Sequence, residues 1–235
     1  MQRSSRDGRP VARPARPLGL AEKVDPRWAA LVVIDYQNDF CDPRGAFTKT
    51  GFDPAPVQAI APALRAVVRA ARGARVPVIW VRNAYTYGTN WYLSDVTLEQ
   101  ARRKWRGRYI AVPVCAAGSW GAQLYGGLRT RPQDAVVTKH RFNAMVDTDL
   151  DLILRSRRIR TVIATGILTN ICVESTVRDA FFKDYYPVVP RDCVATYEKA
   201  QHDAALANID TFFGQVTTSA EIAGAWRARR RGGPA

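Results

Sequence analysis

Short wholly apolar runs alternate along the chain with stretches whose apolar positions recur every three or four residues. Residues 29–34 are apolar throughout and end in Asp35, the pattern of a strand buried on both faces. Over 54–72, Ile60, Leu64, Val67, Val68 and Ala71 fall on one stripe and predict an amphipathic helix. Pro54 and Pro56 suit its start and Gly73 its end. Residues 76–81 predict a second strand and 135–138 a third, which puts Lys139 just past its end. A helix follows over 147–157 with Asp147 or Thr148 as cap, then a β-branched run over 161–165 closed by Gly166. Helical spacing resumes with Ile171, Val173, Val177, Ala180 and Phe181, and 186–190 completes a strand–helix–strand unit. A helix over about 198–213, a sixth strand over 213–217 and a last helix from near Ser219 finish the pattern. Such alternation predicts a single three-layer α/β/α domain, Rossmann-like, with a mostly parallel six-stranded sheet.

In open parallel sheets, ligands bind at the carboxyl ends of the strands, near a reversal of strand order. Asp35, Lys139 and Cys172 each follow the end of a different predicted strand, so one crevice can collect them. Thr169 and Asn170 are the candidate N-caps ahead of Cys172, which places the sulfur in or just before a first helical turn. Free N–H groups and the helix dipole favour a thiolate there; a small buried hydrophobe is the competing reading of any free cysteine. As a set, the three residues make chemical sense. A carboxylate takes the thiol proton, and an ammonium steadies both charges during attack on a carbonyl.

The formal charge of +14 suggests a polyanion partner until it is mapped. Residues 1–18 carry five Arg against one Asp and residues 226–235 carry four Arg, so the two ends supply +8 of it. These ends are expected to be basic tails (1–18 and 226–235) around a domain of 19–225, with nonspecific nucleic-acid contact at most. The internal basic groups, 102–108 and 155–160, read as solvated helix faces or ends. Four cysteines, Cys41, Cys115, Cys172 and Cys193, are widely spaced without a Cys-x-x-Cys pair, which fits reduced thiols in the cytoplasm. No apolar run approaches a membrane span and no signal-type segment is expected.

The segments Val33-Ile-Asp-Tyr-Gln-Asn-Asp-Phe40, Lys139-His-Arg-Phe-Asn-Ala144 and Gly166-Ile-Leu-Thr-Asn-Ile-Cys-Val-Glu-Ser-Thr-Val-Arg-Asp179 resemble the isochorismatase-like cysteine hydrolases over about residues 25–222. Within that superfamily the likeness is strongest to the ureidoacrylate amidohydrolases, from Asp149 to Gly214. The resemblance implies Cys172 as nucleophile, Asp35 as general base and Lys139 as its charged partner. It also implies a cis peptide between Ile167 and Leu168, with the N–H groups of Leu168 and Cys172 forming the oxyanion hole. A homo-oligomer, dimer or tetramer, is expected on the same ground. Nicotinamidases of this superfamily hold a metal through an Asp and two or more His after strand two. Here only His140 and His202 are present, neither in that region, so no metal and no other cofactor is expected.

The implied substrate is a small ureido or carbamoyl amide, cleaved at a C–N bond through a thioester. Hydrolysis of biuret or triuret, of N-carbamoylsarcosine or of a cyclic amide remains open, and a non-catalytic binding protein is a distant alternative. Asn83, Tyr85, Trp91, Phe142, Asn143 and Gln215 are the candidate substrate-binding residues. Region 84–118 departs most from the family and reads as a lid or specificity loop, or as a packing surface between subunits. Arg82 and the basic run at 102–108 are placed to attract a substrate carboxylate if that loop folds over the crevice.

Overall fold

The computed structural model describes residues 16–86, 88, 92–103 and 113–231. Its centre is a parallel sheet of seven strands: β1 (Ala29–Ile34), β2 (Val78–Asn83), β3 (Ala135–Lys139), β4 (Thr161–Ile167), β5 (Tyr186–Pro190), β6 (Val194–Ala195) and β7 (Gln215–Thr217). The order is β3-β2-β1-β4-β5-β7, with β6 pairing to β4. The chain therefore builds outward from β1 in one direction, returns, and builds outward from β4 in the other. The reversal between β1 and β4 is where this class of sheet opens a crevice.

Side chains leave a strand on alternating faces. From β1, Leu31 and Val33 enter one core with Leu64, Val67 and Val68, while Val32 and Ile34 enter a second with Leu150, Leu154 and Val177. Two cores on opposite faces of one sheet make the three layers. The first is covered by α1 (Leu20–Lys23), α4 (Ala55–Ala59), α5 (Ala61–Gly73) and α10 (Ser219–Arg231). The second is covered by α7 (Leu150–Ser156) and α8 (Glu174–Phe182). Short helices α2 (Asn38–Cys41) and α3 (Ala46–Lys49) follow β1, α6 (Asp95–Arg103) lies between β2 and β3, and α9 (Lys199–Asn208) follows β6.

Several predicted bounds move. The helix expected over 54–72 is two, α4 and α5, meeting at Ile60, with Pro62 inside the first turn of α5 where its missing N–H costs nothing. The helix expected over 147–157 is α7 alone, capped at Asp149; Asp147 is excluded by its left-handed φ of 55°, while the Thr148 hydroxyl accepts from the Leu150 N–H at 3.2 Å. The long helix expected up to 213 ends at Asn208 and widens into a π-type turn over Ile209–Phe213. The two-residue strand β6 is too short to leave a pattern in sequence.

The C-terminal boundary also shifts. Helix α10 runs to Arg231 instead of leaving the domain at 225. Trp226 is buried and its indole N–H donates to the Val24 carbonyl at 2.6 Å. Arg229 pairs with the buried Asp25 carboxylate at 2.7 Å. An apolar anchor inside an Arg-rich segment is invisible to a charge count. Among the described residues, no helix is long and apolar enough to cross a membrane.

Candidate active site

Asp35 follows β1 directly and adopts φ 54°, a left-handed turn that takes the chain out of the sheet. Next to it, Gly166 on β4 has φ 103°, and a Cβ there would run into the Ile34 carbonyl. Only glycine lets the ends of β1 and β4 lie this close. Residue Lys139 ends β3 in register with Asn83 of β2. It must therefore reach across β2 to β1, two strand spacings or about 9–10 Å of sheet, and a long side chain suits that span.

The three groups meet at the crevice. Lys139 Nζ lies 2.7 Å from Asp35 Oδ2 and 3.5 Å from Cys172 Sγ, and it donates to Asn83 Oδ1 at 3.3 Å and to the Arg141 carbonyl at 2.9 Å. Lys139 and Asp35 are essentially inaccessible to solvent, and Cys172 is 7% exposed. The Cys172 thiol and the Asn83 amide also act electrostatically on the Asp35 carboxylate.

Burial dominates the electrostatics. It pushes the Asp35 carboxyl above the usual carboxylate range, with Lys139 opposing. For Lys139 burial disfavours the ammonium, but the adjoining Asp35 and Cys172 outweigh it and hold the group protonated. Burial also pushes the Cys172 thiol up to about 12; the Asp35 charge adds to this and Lys139 opposes it. The resting sulfur is thus a thiol and not the thiolate expected at a helix start. A proton acceptor must come into play as the sulfur attacks, and Asp35 is the one in contact.

The nucleophile turn is not a plain helical N-terminus. The peptide between Ile167 and Leu168 is cis. Residues Thr169–Val173 then form a π-type turn in which the Leu168 carbonyl accepts from both Ile171 and Val173 N–H at 3.1 Å. Neither expected N-cap side chain caps it. Thr169 Oγ1 instead pairs with His202 Nδ1 at 2.9 Å, and Asn170 Nδ2 donates to Gln201 Oε1 at 2.9 Å. Both partners lie on α9, which holds the turn from outside.

A cavity of about 520 Å³ opens over Cys172 and Asp35. Phe40, Phe47, Val96, Phe142, Ile167 and Ile171 form most of its apolar wall. Asn83, Thr97, Gln100, Asn170 and Ser175 supply its polar groups. Helix α6 contributes Val96, Thr97, Gln100 and Ala101, so the divergent segment after β2 does fold over the crevice. It is tied down beside the site by Tyr92, which stacks on His140 at 3.5 Å, and by Arg141, which donates to the Tyr92 carbonyl at 2.8 Å.

Of the candidate substrate-binding residues, Asn83 and Phe142 line this cavity. Tyr85 stands behind the wall, its hydroxyl donating to Asn83 Oδ1 at 3.3 Å. Asn143 does not reach the cavity, because its amide is committed to Asp179 at 2.7 Å and to the Met145 N–H at 2.8 Å. Gln215 is elsewhere too: on β7, the last strand of the order beside β5, it accepts from Lys23 Nζ at 3.0 Å. Trp91 lies outside the described residues. Arg82 is on the exposed side of β2, beside Thr138, and Arg102 and Arg103 are exposed away from the cavity wall. The remaining basic residues of 104–108 lie outside the described residues. No cluster of three or more metal-ligating side chains occurs among the described residues.

Sequence reading missed Gln37, Ser175 and the α6 wall. Gln37 is fully buried; its amide donates to the Asn83 and Ala122 carbonyls and accepts from the Asn83 N–H, each at 2.8 Å. It clamps the end of β2 and so aims Asn83. Ser175 was within reach, being three residues beyond Cys172 on a helical period. The α6 contacts depend on how a long connection lies back over the sheet, which no local pattern encodes.

An open parallel α/β sheet with a carboxylate, an ammonium and a thiol in contact at its switch point has the parts for nucleophilic acyl transfer. The isochorismatase-domain family model matches residues 29–221, and the chain belongs to the isochorismatase family. It is 38% identical over 219 residues to the ureidoacrylate amidohydrolase RutB of Methylobacterium radiotolerans, covering 88% of this chain and 82% of that one. The RutB of an Enterobacter species is 38% identical over 220 residues, covering 89% and 93%. Among solved structures, a cysteine hydrolase from Pseudomonas syringae pv. phaseolicola superposes with a TM-score of 0.75 at 26% identity, covering 88% of this chain and 95% of that one. A pyrazinamidase/nicotinamidase from Streptococcus mutans gives 0.69 at 27%, covering 80% and 99%.

Proposed function

We propose that this chain is an amidohydrolase that cleaves a C–N bond of a small ureido or carbamoyl compound, with Cys172 as nucleophile. The observation that carries the reading is the contact set at the cavity floor, where Lys139 Nζ touches both Asp35 (2.7 Å) and Cys172 (3.5 Å). Asp35 takes the thiol proton as sulfur bonds to the substrate carbonyl carbon. The oxyanion is received by the N–H groups of Leu168 and Cys172, a kind of contact worth about 3–4 kcal/mol per donor. The C–N bond then breaks, and ammonia or an amine leaves with the proton held by Asp35. Water, deprotonated by Asp35, attacks the thioester; the acid is released and the proton returns to sulfur. The pKa values suit these roles: a raised carboxyl is a stronger base, and Lys139 stays charged beside it.

The names of the relatives favour a ureidoacrylate-type substrate, and a homo-oligomer in a reducing compartment such as the cytoplasm belongs to the same reading. A screen of ureides, carbamoyl amides and cyclic amides for ammonia release tests it. Cys172→Ala is expected to abolish turnover, at least about 10⁴-fold, with an unchanged circular-dichroism spectrum. Near-normal turnover by Cys172→Ala would overturn the covalent mechanism.

A further inference from the structure

The turn that carries Cys172 is bonded to α9 at two neighbouring positions, and the two ties differ. The outer one, Asn170 Nδ2 to Gln201 Oε1, is exposed; the inner one, Thr169 Oγ1 to His202 Nδ1 at 2.9 Å, is partly buried. Thr169 is inaccessible to solvent, and among the described residues His202 is the only hydrogen-bond partner of its side chain. A buried hydroxyl is costly to leave unpaired, and in a β-branched residue fixing the hydroxyl fixes χ1. The other end of the turn is held separately. Thr176 Oγ1 donates to the Cys172 carbonyl at 2.7 Å and accepts from the Ala144 N–H at 3.0 Å. By hydrogen bonds, then, α8 and the segment after β3 set the Cys172 end, and α9 sets the end next to Leu168.

We propose that His202 is a positioning residue for acyl transfer: through Thr169 it holds the Leu168 N–H where the oxyanion forms, and it leaves the placement of the sulfur to Thr176. The assignment rests on the amidohydrolase reading of this site. An oxyanion donor works only within about 2.7–3.1 Å of the developing charge, so a turn free to shift loses rate before it loses fold. Burial holds the His202 ring below the ordinary histidine value, with Lys199 adding to this and Asp203 opposing. The ring is therefore neutral at neutral pH, and a neutral imidazole and a hydroxyl can bond in either sense.

Two probes separate the oxyanion from the sulfur. 4-Nitrophenyl acetate acetylates Cys172: sulfur bonds to the acetyl carbon through a tetrahedral oxyanion, 4-nitrophenolate leaves with the C–O electron pair, and the thiol proton passes to Asp35. Iodoacetamide alkylates the same sulfur by displacing iodide, with no oxyanion. Mass spectrometry gives both rates at Cys172 for wild type, His202→Ala, His202→Asn, Thr169→Val and Thr169→Ser. The Asn amide can take the place of ring Nδ1, and Ser keeps the hydroxyl. His202→Ala and Thr169→Val are expected to lower the acylation-to-alkylation ratio about three- to thirtyfold, part of the roughly 10²–10³-fold that loss of a whole oxyanion donor costs. The Asn and Ser variants are expected to recover it. Labelling of the fully buried Cys41, Cys115 and Cys193 would reveal an unfolded His202→Ala, and the isosteric Thr169→Val then carries the test. A ratio that stays at the wild-type value, whether both rates hold or both fall, would overturn the clamp, as would an Asn variant no better than Ala. The expected pattern in acylation, with no ureide or amide hydrolysed by wild type, would keep the clamp and refute the amidohydrolase reading. Hydrolysis of ureidoacrylate with a ratio that ignores all four substitutions would do the reverse.

Discussion

Replacing Lys139 by Met removes the ammonium while keeping most of the volume of a fully buried side chain. Asp35, itself 2% exposed, then loses its cationic partner at 2.7 Å. An unpaired buried charge costs about 3–5 kcal/mol, but the carboxyl can escape by taking a proton. Keeping the carboxyl protonated at pH 7 against an unfolded value of about 3.9 costs about 4 kcal/mol, at 1.36 kcal/mol per unit. That is the ceiling on the penalty. The sign follows from a folded-state pKa raised above the unfolded value: stability is retained below about pH 3.9 and is lost steadily as pH rises towards the folded pKa. Lys139→Met should therefore be less stable than wild type by up to about 4 kcal/mol at pH 7 and up to about 1–2 kcal/mol at pH 5, reduced by what burial already costs Asp35 in the wild type. Adding Asp35→Asn should recover most of the loss at pH 7, while all of these variants stay inactive. Urea melts at both pH values, read by tryptophan fluorescence, measure the difference. A penalty that does not change with pH, or a double variant no more stable than the single, would refute the reasoning.

Other expectations follow from the same geometry. The acid limb of kcat/KM should have its midpoint above the ordinary carboxylate value of about 3.9, because burial raises Asp35; a midpoint at or below that value would remove Asp35 as the base. Turnover should survive exhaustive chelation, and loss with EDTA that zinc or iron restores would contradict the metal-free mechanism. Iodoacetamide should reach Cys172 before Cys41, Cys115 and Cys193, which are fully buried, and mass spectrometry of the labelled peptides gives the order. Trp226→Ala should cost about 3–5 kcal/mol in a denaturant melt, since its ring is buried and bonded to Val24; a neutral result would return 226–231 to the status of a tail.

Much of this protein is written locally. The six longer strands and the helices α4, α5, α7, α8, α9 and α10 announce themselves because a buried parallel strand must be apolar and a covering helix must carry a stripe, whereas α1, α2, α3 and α6 leave no such signal. Asp35, Lys139 and Cys172 were legible for the same reason: each stands at the carboxyl end of an apolar run, where a parallel sheet opens to a ligand. Gly166 reads as the close of its strand, whereas the strand runs through it to Ile167, and its missing Cβ is what lets Ile34 approach. What the chain could not declare locally was the state and surroundings of those groups. The cysteine's position at a helix start favours a thiolate. Only the assembled fold, by burying the sulfur beside Asp35, makes it a thiol. Asn143 and Gln215 look as polar as Asn83 in the sequence, and the difference is where each is held: Lys139 and Tyr85 hold Asn83 at the cavity, while another side chain claims Asn143 and Gln215 away from it. That claim comes from residues 36 positions away for Asn143 and 192 for Gln215. Periodicity reports which way a side chain leaves its own element; the partner it meets is decided by how distant elements pack.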